Sequence, residues 1–236
     1  MHFMTNKLPS FISAYHSGIM RKISKKFCEN EDGFNLLKET FIKQQYRWLI
    51  TDLNPDTVII DIGANIGDTA IYFAQFPNIK LVMAYEPYPR IFEKANQNIS
   101  SSGLSNKINL LNAGVSDKNK TVHVTRNLTT PSSKLTELHG GMNIPIYSLK
   151  EVINMAPKCK EILIKSDCEG GEYDIFLHSN PKILKAVKKI MLEYHPDLIN
   201  NKLTLSKYFS GCGYRVYMED SATSGYGLMK CVRFNA

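Results

Sequence analysis

The sequence predicts an open α/β sheet, mostly parallel, with helices on both faces. Short β-branched or apolar runs alternate with segments at helical spacing from Thr57 onward. The first run opens into a glycine loop, and the chain closes on two more strand-like runs separated by a turn. Alternation of this kind means parallel strands joined by crossover helices, and the final two runs predict an antiparallel pair. With 236 residues and 43% hydrophobic content, the chain can bury one substantial core.

Residues 1–53 read as a helical arm or lid. Five basic residues and no acid precede Glu29, and Pro9 and polar residues break any apolar run, so no secretory signal is expected. Over 34–49, Phe34, Leu37, Phe41, Trp48 and Leu49 recur at three- and four-residue steps and predict an amphipathic helix. "TDLNPDT" ends it and opens the main domain, residues 54–236.

"TVIID" is the first strand, and 66–76 follows with helical spacing. "KLVMAYE" and a helix over 89–101 come next, with Ile91, Phe92, Ala95 and Ile99 inward; "KINLLNAG" is the third strand. Residues 115–147, rich in Thr, Ser, Gly and Asn, read as a hairpin or loop insertion before a helix over 148–155. "EILIKSD" and "KKIMLEYH" are the fourth and fifth strands, and "YRVYME" and "GLMKCVRF" form the closing pair. Ser166 and Glu169 have the spacing of a helix capping box.

Composition excludes some functions. No apolar stretch is long enough for a transmembrane helix. The net charge of +7 comes from dispersed Lys, without the basic stripe and interleaved aromatics of a nucleic-acid surface, so a nucleic-acid partner is not expected. Five scattered Cys fit a reducing compartment, hence the cytoplasm.

"VIIDIGANIGDTAIYFA" joins a strand, a tight glycine loop and a helix, which aims backbone N–H groups at a ligand. A dinucleotide fingerprint needs glycines two and five residues after the first. Counted from Gly63, those positions hold Asn65 and Asp68, and an acid there repels a pyrophosphate. The pattern fits a nucleoside without a pyrophosphate, such as S-adenosylmethionine. Asp61 would then act on its ammonium directly or by orienting the loop. Gly63 and Gly67 would permit close approach, Glu86 would take the ribose hydroxyls, and Asn112 or its neighbour Ala113 would meet the adenine edge.

Together with "AYEPYPRIFEKANQNI", "LNAGVSD", "LIKSDCEGGEYDIF" and "IMLEYHP", this stretch resembles the FkbM-type methyltransferases, over residues 57–234. Cys168 departs from the aliphatic residue more usual there. The resemblance implies the seven-stranded Rossmann-like sheet of class I methyltransferases. S-adenosylmethionine would lie across the ends of the first three strands, and a hydroxyl on a small molecule or glycan would be O-methylated. In that topology Asp167, at the end of the fourth strand, adjoins the Asp61–Gly63 loop.

A hydroxyl acceptor must lose its proton, so a base is expected. Glu193 and His195 lie two apart on one face of the fifth strand. His195 is the leading candidate base, since imidazole titrates near neutral pH, and Asp167 would orient it or hold the cofactor's ammonium. Asp167 and His195 with Glu169 or Glu193 are donors suited to Mg, Mn or Zn, but no ligand spacing marks a metal site, and none is expected. The rival functions are an RNA methyltransferase and a catalytically silent nucleoside-binding module.

Overall fold

The computed structural model describes residues 35–124, 142–195, 201–220 and 226–233. In chain order its elements are β1 (Thr57–Ile62), α1 (Asp68–Ala74), β2 (Ile79–Tyr85), α2 (Pro89–Ser102), β3 (Ile108–Leu111), β4 (Gly114–Ser116), β5 (Lys120–Val124) and β6 (Met142–Ser148). Then follow α3 (Leu149–Asn154), β7 (Glu161–Ser166), α4 (Glu172–Leu177), β8 (Val187–Tyr194), α5 (Lys202–Gly211), β9 (Tyr214–Asp220) and β10 (Gly227–Arg233). A seven-stranded sheet has the order β3-β2-β1-β7-β8-β10-β9. Its first five strands are parallel, and β10 runs antiparallel to both β8 and β9. The mostly parallel sheet and its antiparallel close are therefore as expected.

Alternation along the central strands splits the core in two. Val58, Ile60 and Ile62 of β1, Ile162 and Ile164 of β7, and Ile190 and Leu192 of β8 pack against α3, α4 and α5. Ile59, Leu163 and Met191 face the other way, onto α1, Ile99 of α2 and the 35–50 segment. Strands buried on both faces need apolar residues at consecutive positions, which is why these runs do not alternate in polarity. The register places Asp61 opposite Lys165, both on the α1 face.

Glu161 ties down the far end of the sheet. Its carboxylate accepts from the Asn54 backbone (2.7 Å) and side chain (2.8 Å), Thr57 Oγ1 (2.7 Å) and Lys188 Nζ (2.7 Å). Against its burial, these donors hold it down to about 2.

Two local expectations are corrected. Residues 35–50 are not one helix: a π-helical turn (Lys38–Ile42) is stopped near Gln44, at φ 53°, and a 3-10 turn (Arg47–Ile50) follows. The break lets Phe41 and Tyr46 each meet a ring of α1, Tyr72 and Phe73, so tertiary packing overrides the helical period. Phe34 lies outside the described residues.

In the 115–147 region β5 and β6 pair antiparallel, as the hairpin reading expected, and β4 joins them in a second sheet of order β4-β6-β5; residues 125–141 lie outside the described residues. The capping box of Ser166 and Glu169 does not form. Glu169 sits at φ 54°, before α4 begins, and Glu172 instead accepts from the backbone N–H of Cys168 (2.7 Å) and Gly170 (2.9 Å).

No helix among the described residues is long and apolar enough to cross a membrane. Ile164 is fully buried in the middle of β7. Ile164→Ala is expected to cost about 2–5 kcal/mol, read from urea denaturation as a lower midpoint at unchanged slope.

Candidate active site

A cavity of about 260 Å³ lies at the carboxyl ends of the parallel strands, lined by the loops after β1, β2 and β7, the end of β8, and β4. Ligands bind at this edge of open α/β sheets. The 35–50 segment covers it with Leu36, Glu39, Thr40, Gln45 and Tyr46.

On the β1 side the polar groups are organised around one buried ion pair. Asp61 and Lys165 are almost wholly shielded from solvent, with Lys165 Nζ 3.2 Å from Asp61 Oδ1. Thr69 Oγ1 donates to Asp61 Oδ2 (2.6 Å), and Lys165 donates to the Gly63 carbonyl (2.7 Å). Burial opposes the ammonium, but Asp61, Asp167 and Asp68 outweigh it and hold Lys165 charged. Asp61 therefore braces the glycine loop from beneath. Lys165 was not singled out in the sequence, although a lone Lys within "EILIKS" is the kind of signal that could have found it.

Gly63 has φ +74°, and a Cβ there would lie 1.9 Å from the Asp167 carbonyl oxygen, so a glycine is needed for the β1 and β7 loops to touch. Gly67 does not line the cavity. At φ +83° it faces Ala95 and Ile99, both 3.4 Å from an added Cβ, and so admits α2 against α1.

Glu86, at the end of β2, is buried and lines the cavity. Its two oxygens accept from the backbone N–H of Asn65 (2.9 Å) and Tyr88 (2.9 Å). Burial nonetheless pushes it up to about 7. Asn65 holds its loop position at φ 47°. Asn112 and Ala113 do not line the cavity. The Asn112 amide donates to the Glu86 (2.9 Å) and Pro87 (3.1 Å) carbonyls, and Ala113 is buried in the core.

The β7–β8 side is acidic. Asp167, Glu169 and Glu193 all line the cavity. Tyr46 Oη donates to Asp167 (3.3 Å) and Gln45 Nε2 to Glu193 (3.3 Å). Burial, then the Asp167 charge, pushes Glu193 up to about 7.

His195 does not line the cavity; it stands behind this acidic wall. Its Nε2 is 3.7 Å from Glu169 and 3.8 Å from Glu193, its Nδ1 is 3.8 Å from Glu172, and its ring stacks on Tyr226 at 5.9 Å. Burial opposes its charge, but Glu172, Asp167 and Glu169 prevail and raise it to about 9. The expectation that this imidazole titrates near neutrality is thus corrected, because its carboxylate neighbours keep it an imidazolium at pH 7. One donor atom each from Asp167, Glu172 and His195 lies within 4.8 Å of the others. Both Glu172 oxygens already accept from the loop backbone.

Residues 61–216 match the model of the methyltransferase FkbM domain. The chain belongs to that family. A curated relative, the 2-O-methyltransferase NoeI of Sinorhizobium fredii (strain NBRC 101917 / NGR234), is 26% identical over 135 residues, 57% of this chain. The match spans 54% of NoeI, about half its length.

Among solved structures, an rRNA methylase from Streptococcus thermophilus aligns with TM-score 0.54 at 13% identity, over 82% of this chain and 96% of that one. Streptococcus pneumoniae Sp1610, solved with S-adenosyl-L-methionine, aligns with TM-score 0.50 at 13% identity, over 82% and 74%. These two likenesses establish for this FkbM-family chain the Rossmann-like sheet of the methyltransferases.

Two measurements check the site's electrostatics. Lys165→Met is expected to destabilise by about 3–5 kcal/mol, by stranding Asp61, and adding Asp61→Asn should recover part of the loss in urea denaturation. The folded value of His195, about 9, lies above its ordinary value of about 6.5. Its stabilising effect is therefore full below about 6.5 and lost as pH rises through about 9. The melting-temperature advantage of wild type over His195→Gln should shrink between pH 7 and 10.

Proposed function

We propose that the protein is an S-adenosylmethionine-dependent O-methyltransferase acting on a hydroxyl of a small molecule or glycan. Glu86 carries the cofactor assignment: a buried carboxylate at the end of β2 already has a backbone N–H on each oxygen and keeps lone pairs for a pair of ribose hydroxyls. Asp68, beside the glycine loop, lines the cavity, where an acid suits a cationic nucleoside and opposes a pyrophosphate. When bound, S-adenosylmethionine supplies an electrophilic methyl group on a sulfonium.

The chain's own residues do the rest. Asp167 would hold the ammonium of the cofactor's amino-acid end, while the braced Gly63–Asn65 loop would fix its position. Glu193 faces the cavity and titrates near 7, which suits a general base at neutral pH. It takes the proton of the acceptor O–H as the oxygen is alkylated. His195 acts through the carboxylates it contacts, holding Glu169, Glu172 and Glu193 in place. Residues 1–53 and the 115–147 region would cap the acceptor; of these, residues 1–34 and 125–141 lie outside the described residues.

This reading routes no step through a metal ion. The acidic β7–β8 wall disfavours a phosphodiester, which favours a small molecule or glycan over RNA despite the net charge of +7. The 2-O-methyltransferase relative supports oxygen as the acceptor atom. Cys159, Cys168, Cys212 and Cys231 are free thiols and suit the cytoplasm.

Calorimetry should show S-adenosylhomocysteine binding and no NAD binding, with Glu86→Ala losing most of the affinity. NAD binding alone would overturn the cofactor assignment. With a panel of glycans and hydroxylated small molecules, the transfer rate should rise with pH through about 7. Glu193→Gln should lose about 10²–10⁴-fold, and EDTA should change nothing. Preferred transfer to RNA would overturn the acceptor class.

A further inference from the structure

The family match begins at residue 61, yet two polar side chains that touch the acidic wall come from before it. From their contacts we infer that Gln45 and Tyr46 are positioning residues of the active site, Gln45 for Glu193 and Tyr46 for Asp167. The inference rests on the roles proposed above for those two carboxylates.

The segment is docked by apolar packing that is independent of these polar bonds. Leu37 and Leu49 are fully buried, and Phe41 and Tyr46 nearly so, in the core cluster shared with α1. Phe41 packs edge-on against Tyr72, Tyr46 packs against Phe73, and Thr40 donates to Asp68 at the start of α1. Docking of this kind fixes where residues 45 and 46 emerge.

At that point the Gln45 amide reaches Glu193 Oε2 and the Tyr46 hydroxyl reaches Asp167 Oδ2, each at 3.3 Å. The Lys165 ammonium lies over the Tyr46 ring, 5.6 Å from its centroid, so the same ring also packs on the buried ion pair. A carboxylate free to rotate would offer its lone pairs to acceptor and cofactor in several orientations. One donor on each carboxylate reduces that freedom, and positioning of reacting groups supplies a large part of a transfer rate.

The Gln45 amide also favours the ionised form of Glu193. Glu193 is faced by Asp167 and Glu169 from the β7 loop, Lys165 from β7, His195 beyond the end of β8, and Tyr46 from the covering segment. The charged groups stay in place when Gln45 is changed to a neutral residue, so the change isolates its amide.

The test uses the full chain with ¹³C-labelled glutamate, following the Glu193 carboxyl carbon by NMR against pH, and calorimetry with S-adenosylhomocysteine. Gln45→Leu should raise the Glu193 midpoint from about 7 by about one unit, a tenfold change in proton affinity. Gln45→Glu, close to isosteric, should raise it further by adding a like charge, and covers the case in which the leucine variant fails to fold. Tyr46→Phe keeps the ring and should weaken S-adenosylhomocysteine about fivefold, within the range for the net worth of one ordinary hydrogen bond.

Failure of wild type to bind S-adenosylhomocysteine would remove the cofactor assignment on which the inference stands. If wild type binds, an unchanged Glu193 midpoint in both Gln45 variants, or unchanged affinity in Tyr46→Phe, overturns the inference.

Discussion

The buried pair of Asp61 and Lys165 is the constraint on which the site depends. The two residues are register partners on the adjacent central strands β1 and β7, and both face α1. Neither has water to solvate it, so each needs the other. The pair's remaining hydrogen bonds are aimed at the loop above: Lys165 at the Gly63 carbonyl, and Asp61 accepting from Thr69 in α1. Strand, loop and helix are thereby held in one arrangement at the edge where a nucleoside would lie.

From that brace the carboxylates divide into two kinds. Asp61, Glu161 and Glu172 stand off the cavity, Asp61 held by the Lys165 ammonium and the Thr69 hydroxyl and the other two by donors from the protein, and they do structural work. Glu86 and Glu193 are raised to about 7 because burial outweighs the donors and cations around them, and both line the cavity. A carboxylate with unmet demand beside a cavity is a candidate for ligand or proton, whereas a satisfied one is not. His195 is the converse case. The acids around it outweigh its burial and raise it to about 9.

Much of the fold was legible because strand and helix periods are local. "TVIID", "EILIKSD" and "KKIMLEYH" gave buried strands at β1, β7 and β8, and Pro89 and Gly103 frame α2 as helix start and stop. The segment before β1 was misjudged for a non-local reason: its apolar spacing is helical, but the rings of Tyr72 and Phe73 favoured a break at Gln44. Ser166 and Glu169 likewise have capping-box spacing, yet the close contact of Gly63 with Asp167 belongs to a loop that runs on to Glu172 before the helix starts.

The sequence by itself determined the layered sheet, the glycine loop, and the acids at the ends of β1, β2, β7 and β8, because each is written in residues adjacent along the chain. Only the tertiary structure decided what those acids do. It paired Asp61 with Lys165 across 104 positions of chain, put His195 behind the wall rather than in the cavity, and brought Gln45 to Glu193 across 148. Protonation and hydrogen bonding depend on burial and on neighbours within a few ångströms. Those neighbours are set by strand order and packing, which no local pattern encodes.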